Sequence, residues 1–303
     1  MDNYRKGKKD VVSLHHNLGK MVHRKCVIVV CLWGLFTWTH CQSSDRTHAH
    51  PPQGEQTGHK IGMEQDSLPL QKIKMLPIDT STAYVMGHFE PAKDSIFTEV
   101  HIAHADRPGL YLRKDTYAAF QAMDSAAREE GIQLQIRSAT RNFEYQKSIW
   151  ERKWTGETPV ENGEKLNDTT PDPVQRALKI LRYSSMPGSS RHHWGTDIDL
   201  NNFTNRFFEH GEGLKIYTWL VENAPKYGFR QPYTAKDSLR PEGYNEEKWH
   251  WSFYPVSDVL TEFASRQLED HMITGFMGAE TATQIGIVKN YVLGINPDLL
   301  PFR

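Results

Sequence analysis

The sequence predicts a mixed α+β fold, and two kinds of periodicity carry that expectation. Ile132, Leu134 and Ile136 alternate with Gln133, Gln135 and Arg137, the two-residue repeat of a half-buried strand. Just before it, Tyr117, Phe120 and Ala127 line one face of a helix of about four turns, with Asp115 as its N-cap and Gly131 beyond its end. Farther on, Trp249-His250-Trp251-Ser252-Phe253-Tyr254 reads as an aromatic strand with His250 on the face opposite its two tryptophans.

The other elements follow in order. Short strands are expected at Tyr84-Val85-Met86-Gly87 and around Thr98 to Ile102. Ser138-Ala139-Thr140-Arg141 carries the alternating strand into a second helix bearing Phe143, Gln146, Ile149 and Trp150, so Arg141 sits where a strand gives way to a helix. After a polar loop from Thr155 to Thr170, Pro171-Asp172-Pro173 opens a third helix, with proline at a first position that needs no N–H. Thr196 to Leu200 reads as a strand, and Leu214 to Ala224 as a helix closed by Tyr227-Gly228-Phe229. Two more helices are expected, roughly Val256 to Leu268 and Ala279 to Val292.

At 303 residues, 38% hydrophobic and 11% aromatic, the chain has enough apolar surface for a buried core. Lys and Arg number 36 against 37 Asp and Glu, a net charge of -1, which argues against nucleic acid or an acidic membrane surface as the main partner. The three cysteines, Cys26, Cys31 and Cys41, all lie at the front, so any metal in the globular part must be held by His, Asp or Glu.

Arg24-Lys25 followed by the apolar run Cys26 to Phe36 matches the positive and hydrophobic regions of an export signal. The run is shorter than the about 20 apolar residues that span a bilayer. Cys41 and the polar tract after it resemble a bacterial lipoprotein, in which such a cysteine is lipidated and tethers the chain to a membrane. Trp38-Thr39-His40 departs from the usual small-residue lead-in, which leaves plain cleavage or an uncleaved anchor as alternatives. The expected organisation is an export segment over 1–41, a flexible polar linker over 42–66, a catalytic domain over 67–255 and a helical extension over 256–303.

The chemistry concentrates in Ser190-Arg191-His192-His193-Trp194-Gly195-Thr196-Asp197-Ile198-Asp199 and in Glu247-Lys248-Trp249-His250. Two imidazoles, a carboxylate and a second carboxylate near a histidine are the inventory of a zinc site that keeps one position open for water. Gly195 between His192 and Asp199 permits a tight turn. Asp197 and Asp199 share a strand face, so periodicity alone does not choose between them as ligands. Of Glu247 and His250, one can bind the ion while the other acts as general base.

These residues resemble the VanY-like zinc D-alanyl-D-alanine carboxypeptidases and their L,D-carboxypeptidase relatives. The family pattern is Ser-x-His, two residues, Gly-x-Ala-x-Asp, then Glu-x-Trp-His. The chain fits it in register from about Leu110 to Tyr254, except that Asp197 stands where Ala is usual. The resemblance implies a small antiparallel sheet that carries the zinc site, flanked by helices. It assigns zinc to His192, Asp199 and His250, and proton transfer to Glu247. It also gives Arg141 the oxyanion, and Ser190 and Gln146 contacts with substrate. The activity it implies is removal of a terminal D-alanine from peptidoglycan stem peptides in the periplasm or cell envelope. L,D-carboxypeptidase or endopeptidase activity on the same metal is the nearest alternative. A non-catalytic wall-binding zinc module is the alternative from another class, and intact Glu247 and Arg141 argue against it.

Overall fold

The computed structural model describes residues 69–300. The expected export segment with Cys41 and the linker to residue 66 lie outside the described residues. Among those described, no helix is long and apolar enough to cross a membrane.

The elements run α1 (Thr82–Val85), β1 (Phe97–Glu99), β2 (Tyr111–Arg113), α2 (Lys114–Glu129), β3 (Ile136–Ser138), α3 (Phe143–Trp154), α4 (Leu166–Thr169) and α5 (Pro173–Ile180). Then come β4 (Asp197–Leu200), α6 (Gly211–Asn223), β5 (Phe229–Arg230), β6 (His250–Phe253), α7 (Tyr254–Gln267) and α8 (Ala282–Ile285). Strands β1 and β2 form an antiparallel pair, and the other four make one antiparallel sheet in the order β3-β4-β6-β5. The fold is therefore α+β with a small antiparallel sheet among helices, as expected.

Local signals explain most of these boundaries. Asn142 caps α3 by accepting the Tyr145 N–H at 2.9 Å, and Asp172 caps α5 by accepting the Gln175 N–H at 2.8 Å, with Pro173 at the first helical position. The alternation at Ile132, Leu134 and Ile136 is kept in burial, although only Ile136–Ser138 joins the ladder.

Four expectations are corrected. Tyr84 and Val85 are helical because the Ser81 hydroxyl accepts the Tyr84 N–H at 3.2 Å and starts a turn. Strand β1 stops at Glu99, and Ile102–His104 is a 3-10 turn capped by the His101 ring, which accepts the Ala103 N–H at 3.1 Å. Asp115 lies in the first turn of α2 instead of capping it. Its carboxylate is buried against Arg113, which donates from Nη2 at 2.7 Å and Nε at 3.1 Å. The stretch Ala279 to Val292 is broken at Gly286, whose φ of +69° leaves helical space, into a 3-10 turn, α8 and a π turn.

Every residue of β4 and β6 is buried. Ile198 and Trp251 face the apolar core, while the cross-strand pairs Asp197 with Ser252 and Asp199 with His250 share the opposite face. A one-residue slip would turn these polar groups into the core, so the hydrophobic pattern fixes which face carries the site.

Candidate metal centre

His192 reaches the sheet from a 3-10 turn, Arg191–Trp194, that Ser190 caps by accepting the His192 N–H at 3.3 Å. Gly195 follows with φ +73°, and a Cβ there would meet Phe97 Cε1 at 2.5 Å and Arg113 Cγ at 2.9 Å. Only glycine fits that approach, and it lets His192 and Asp199 face one point.

His192 Nδ1–H donates to Ala139 O at 2.8 Å, which leaves the Nε2 lone pair aimed at Asp199 Oδ2, 3.3 Å away. On His250, Nε2–H donates to Asp197 Oδ2 at 2.8 Å, and Nδ1 faces Asp199 Oδ1 at 3.2 Å and Glu247 Oε2 at 3.1 Å. His192 Nε2 and Asp199 Oδ1 are buried with no hydrogen-bond partner among the described residues. Ligand atoms of His192, Asp199 and His250 all lie within 4.8 Å of one another. Ligands in a tetrahedral shell with bonds of about 2.0–2.1 Å stand about 3.3 Å apart. The spacing and the unpartnered donor atoms fit a zinc-sized cation bound by these three residues.

The electrostatics agree. Burial works against the charge on Asp199, but His192 and His250 hold its carboxyl well below the usual carboxylate range. Burial, with Arg141 nearby, holds His192 below its ordinary value and keeps it neutral, the form that binds metal. His250 differs: burial opposes its charge, yet hydrogen bonds to Asp197, Asp199 and Glu247 carry its pKa well above normal, so a cation at Nδ1 would have to displace a proton there. Glu247 is 4% exposed, and burial raises its pKa toward the range of a general base.

A cavity of about 530 Å³ opens over these groups and is lined by His192, Asp199, Glu247 and Arg141. The Arg141 backbone is fixed on both sides, its N–H donating to His192 O at 3.0 Å and its carbonyl accepting His193 Nδ1–H at 2.6 Å. Arg141 Nε has no hydrogen-bond partner among the described residues. His193 spends its other ring nitrogen on the Gly188 N–H at 3.0 Å, so it braces the arginine and stays outside the metal shell. Ser190 and Gln146 are not among the lining residues. Ser190 serves as the turn cap, and Gln146 is fully buried with Nε2 donating to Ser185 O at 2.7 Å.

The cavity also holds residues that the sequence reading passed over, namely Lys153, Tyr183, Ser184 and Phe203. Lys153 donates to Ser184 Oγ and, among the described residues, forms no ion pair with a carboxylate. It follows Gln146, Ile149 and Trp150 at helical spacing on α3, so a cation on an otherwise buried stripe was the available signal.

Residues 109–256 match the family model described as VanY: D-alanyl-D-alanine carboxypeptidase. The chain is 28% identical over 194 residues to the putative carboxypeptidase YodJ of Bacillus subtilis, covering 62% of this chain and 60% of that protein. It is 27% identical over 136 residues to a D-alanyl-D-alanine carboxypeptidase of Enterococcus faecalis, covering 45% of this chain and 46% of that one. Both matches span less than two thirds of the relative's own length. Among solved structures, a vancomycin-resistance D,D-pentapeptidase VanY in complex with Zn(II) is similar at a TM-score of 0.42 with 22% identity, over 57% of this chain and 86% of that one.

Proposed function

This chain belongs to the VanY-like carboxypeptidase family, and on that premise we propose that it is a zinc-dependent D,D-carboxypeptidase releasing the terminal D-alanine of peptidoglycan stem peptides. The observation that carries this reading is the convergence of His192, Asp199 and His250, with His192, Asp199 and buried Glu247 lining one cavity. A substrate of this kind lies outside the cytoplasmic membrane, so the enzyme acts in the cell envelope.

Zinc held by His192, Asp199 and His250 would polarise the scissile carbonyl and bring the pKa of a coordinated water toward about 7. Glu247, with its pKa raised by burial, takes the proton of the attacking water and passes it to the leaving amine. The Arg141 guanidinium, with Nε unpartnered, donates to the oxyanion that forms on the carbonyl. Ser190 and Gln146 support substrate indirectly, by shaping the turn that carries His192 and the packing beneath the cavity.

Lys153 gives the cavity a second cation, and a carboxypeptidase must recognise a free terminal carboxylate where an endopeptidase need not. Lys153 is assigned that contact. Burial, with Arg141 close by, pulls its pKa down to about 8. Its charge is therefore present below pH 8 and is lost as pH rises through that value. Lys153→Met is expected to lower kcat/KM roughly 10–100-fold, mainly through KM, the worth of one charge-assisted hydrogen bond. The wild-type decline in kcat/KM above about pH 8 should disappear in the variant. An unchanged KM and pH profile would remove Lys153 from substrate recognition.

The overall test is zinc content together with D-alanine release from a pentapeptide stem, with and without chelator. Stoichiometric zinc and chelator-sensitive release are expected. Release from tetrapeptide stems alone would reassign the enzyme to L,D-carboxypeptidases, and cleavage of cross-linked stems alone to endopeptidases.

A further inference from the structure

Asp197 occupies the position where the family pattern has alanine, and it is fully buried. Four donors surround its carboxylate. Oδ1 accepts from Thr196 Oγ1 at 2.6 Å and Ser252 Oγ at 2.7 Å, and Oδ2 accepts from Arg191 Nε at 3.2 Å and His250 Nε2 at 2.8 Å. A carboxylate offers about four lone-pair sites, so none is left over for a metal. Of the roles open to this extra carboxylate, the geometry excludes that of a fourth ligand.

We propose that Asp197 is a positioning residue for the metal ligand His250, and that a buried arginine anchored on α7 holds it in place. By accepting Nε2–H, Asp197 sets the ring's rotation so that Nδ1 faces Asp199 and Glu247, and it keeps the ring proton on Nε2 when Nδ1 takes a metal. Arg191, 1% exposed, neutralises the carboxylate and is held in turn by Ser252 Oγ at 2.8 Å and Thr261 Oγ1 at 2.9 Å. Its guanidinium also lies 4.5 Å from the centre of the Trp194 ring. Thr261 sits on α7, beyond the residues that match the family model. The segment after residue 256 thus takes part in ordering the site, through the sequence Thr261, Arg191, Asp197, His250.

This inference rests on the zinc reading above, and its test separates the two. Zinc affinity is measured by competition with a chromophoric chelator on the purified protein, and the His250 tautomer by imidazole 15N chemical shifts. Asp197→Asn is expected to weaken zinc 10–100-fold, the usual effect of removing a partner that orients a metal-bound histidine, and to disturb the Nε2–H tautomer. Ser252→Ala removes one contact to Asp197 and one to Arg191 but leaves the Asp197–His250 hydrogen bond in place, so it should weaken zinc less than Asp197→Asn does. Asp197→Ala leaves Arg191 buried and unpaired, so it is paired with Arg191→Met in a double variant that removes both charges and should show the same weakening. Wild-type zinc affinity and an unchanged tautomer in both Asp197→Asn and the double variant would overturn the positioning role. A wild-type protein that binds no zinc would overturn the metal reading itself.

Discussion

Glu247→Gln is expected to reduce turnover by roughly 10²–10⁴-fold, the contribution of a well-placed general base, while leaving zinc bound at full stoichiometry. The change is nearly isosteric, so the loop held by Glu247 N–H to Tyr233 O at 2.9 Å and by Gln231 Nε2 to Glu247 O at 3.1 Å should survive it. What the amide lacks is a basic oxygen that can take a proton from water and return it to the amine. Glu247 lies against His250 Nδ1 at 3.1 Å, close enough to reach the same reacting atoms as the three metal donors. The measurements are kcat for D-alanine release and zinc content of the same preparation. Zinc lost together with activity would make Glu247 a ligand. Activity within tenfold of wild type would place the base elsewhere.

Trp150→Ala is expected to destabilise the fold by about 3–5 kcal/mol, the usual range for deleting a fully buried tryptophan. Trp150 has no exposed surface, stacks on Trp154 at 6.2 Å and meets Phe276 edge-on at 5.8 Å. Its indole N–H donates to Met277 O at 2.8 Å, so the variant also strands a carbonyl. The loss should appear as a lower denaturation midpoint with the slope unchanged in a cooperative transition. Because the partners are Phe276 and Met277, the effect also tests how residues after 256 relate to the rest. A loss below about 1 kcal/mol would mean that this segment releases on its own and that the neighbours of residue 150 collapse into the vacated space. The full loss would make it an integral layer of the core, consistent with Leu260, Ile273, Phe276 and Ile285 being buried with Tyr84, Phe120 and Ile198 in one cluster.

What the sequence determined by itself was whatever depends on short range. Caps at Asn142 and Asp172, the proline at the start of α5, glycines with positive φ at 195 and 228, and the alternation at Ile132 to Ile136 are all local, because each depends on neighbours within a few residues. The candidate donor residues were legible for the same reason, since His192, Asp197 and Asp199 flank one turn and Glu247 leads into the strand of His250, but the choice among them came from the family resemblance. Where local signals competed, the reading failed. Apolar Tyr84-Val85-Met86 looked like a strand until the Ser81 cap is taken into account, and Asp115 looked like a cap although its long-range partners Leu76 N–H and Pro77, reached through Arg113, draw it inward. Only the tertiary structure showed that Asp197 and Asp199 have different surroundings. They share a strand face and a residue type, but antiparallel pairing sets Asp199 opposite His250 and Asp197 opposite Ser252. That pairing gives each carboxylate a different nitrogen of the same imidazole, and cross-strand register over some fifty residues is not written in periodicity.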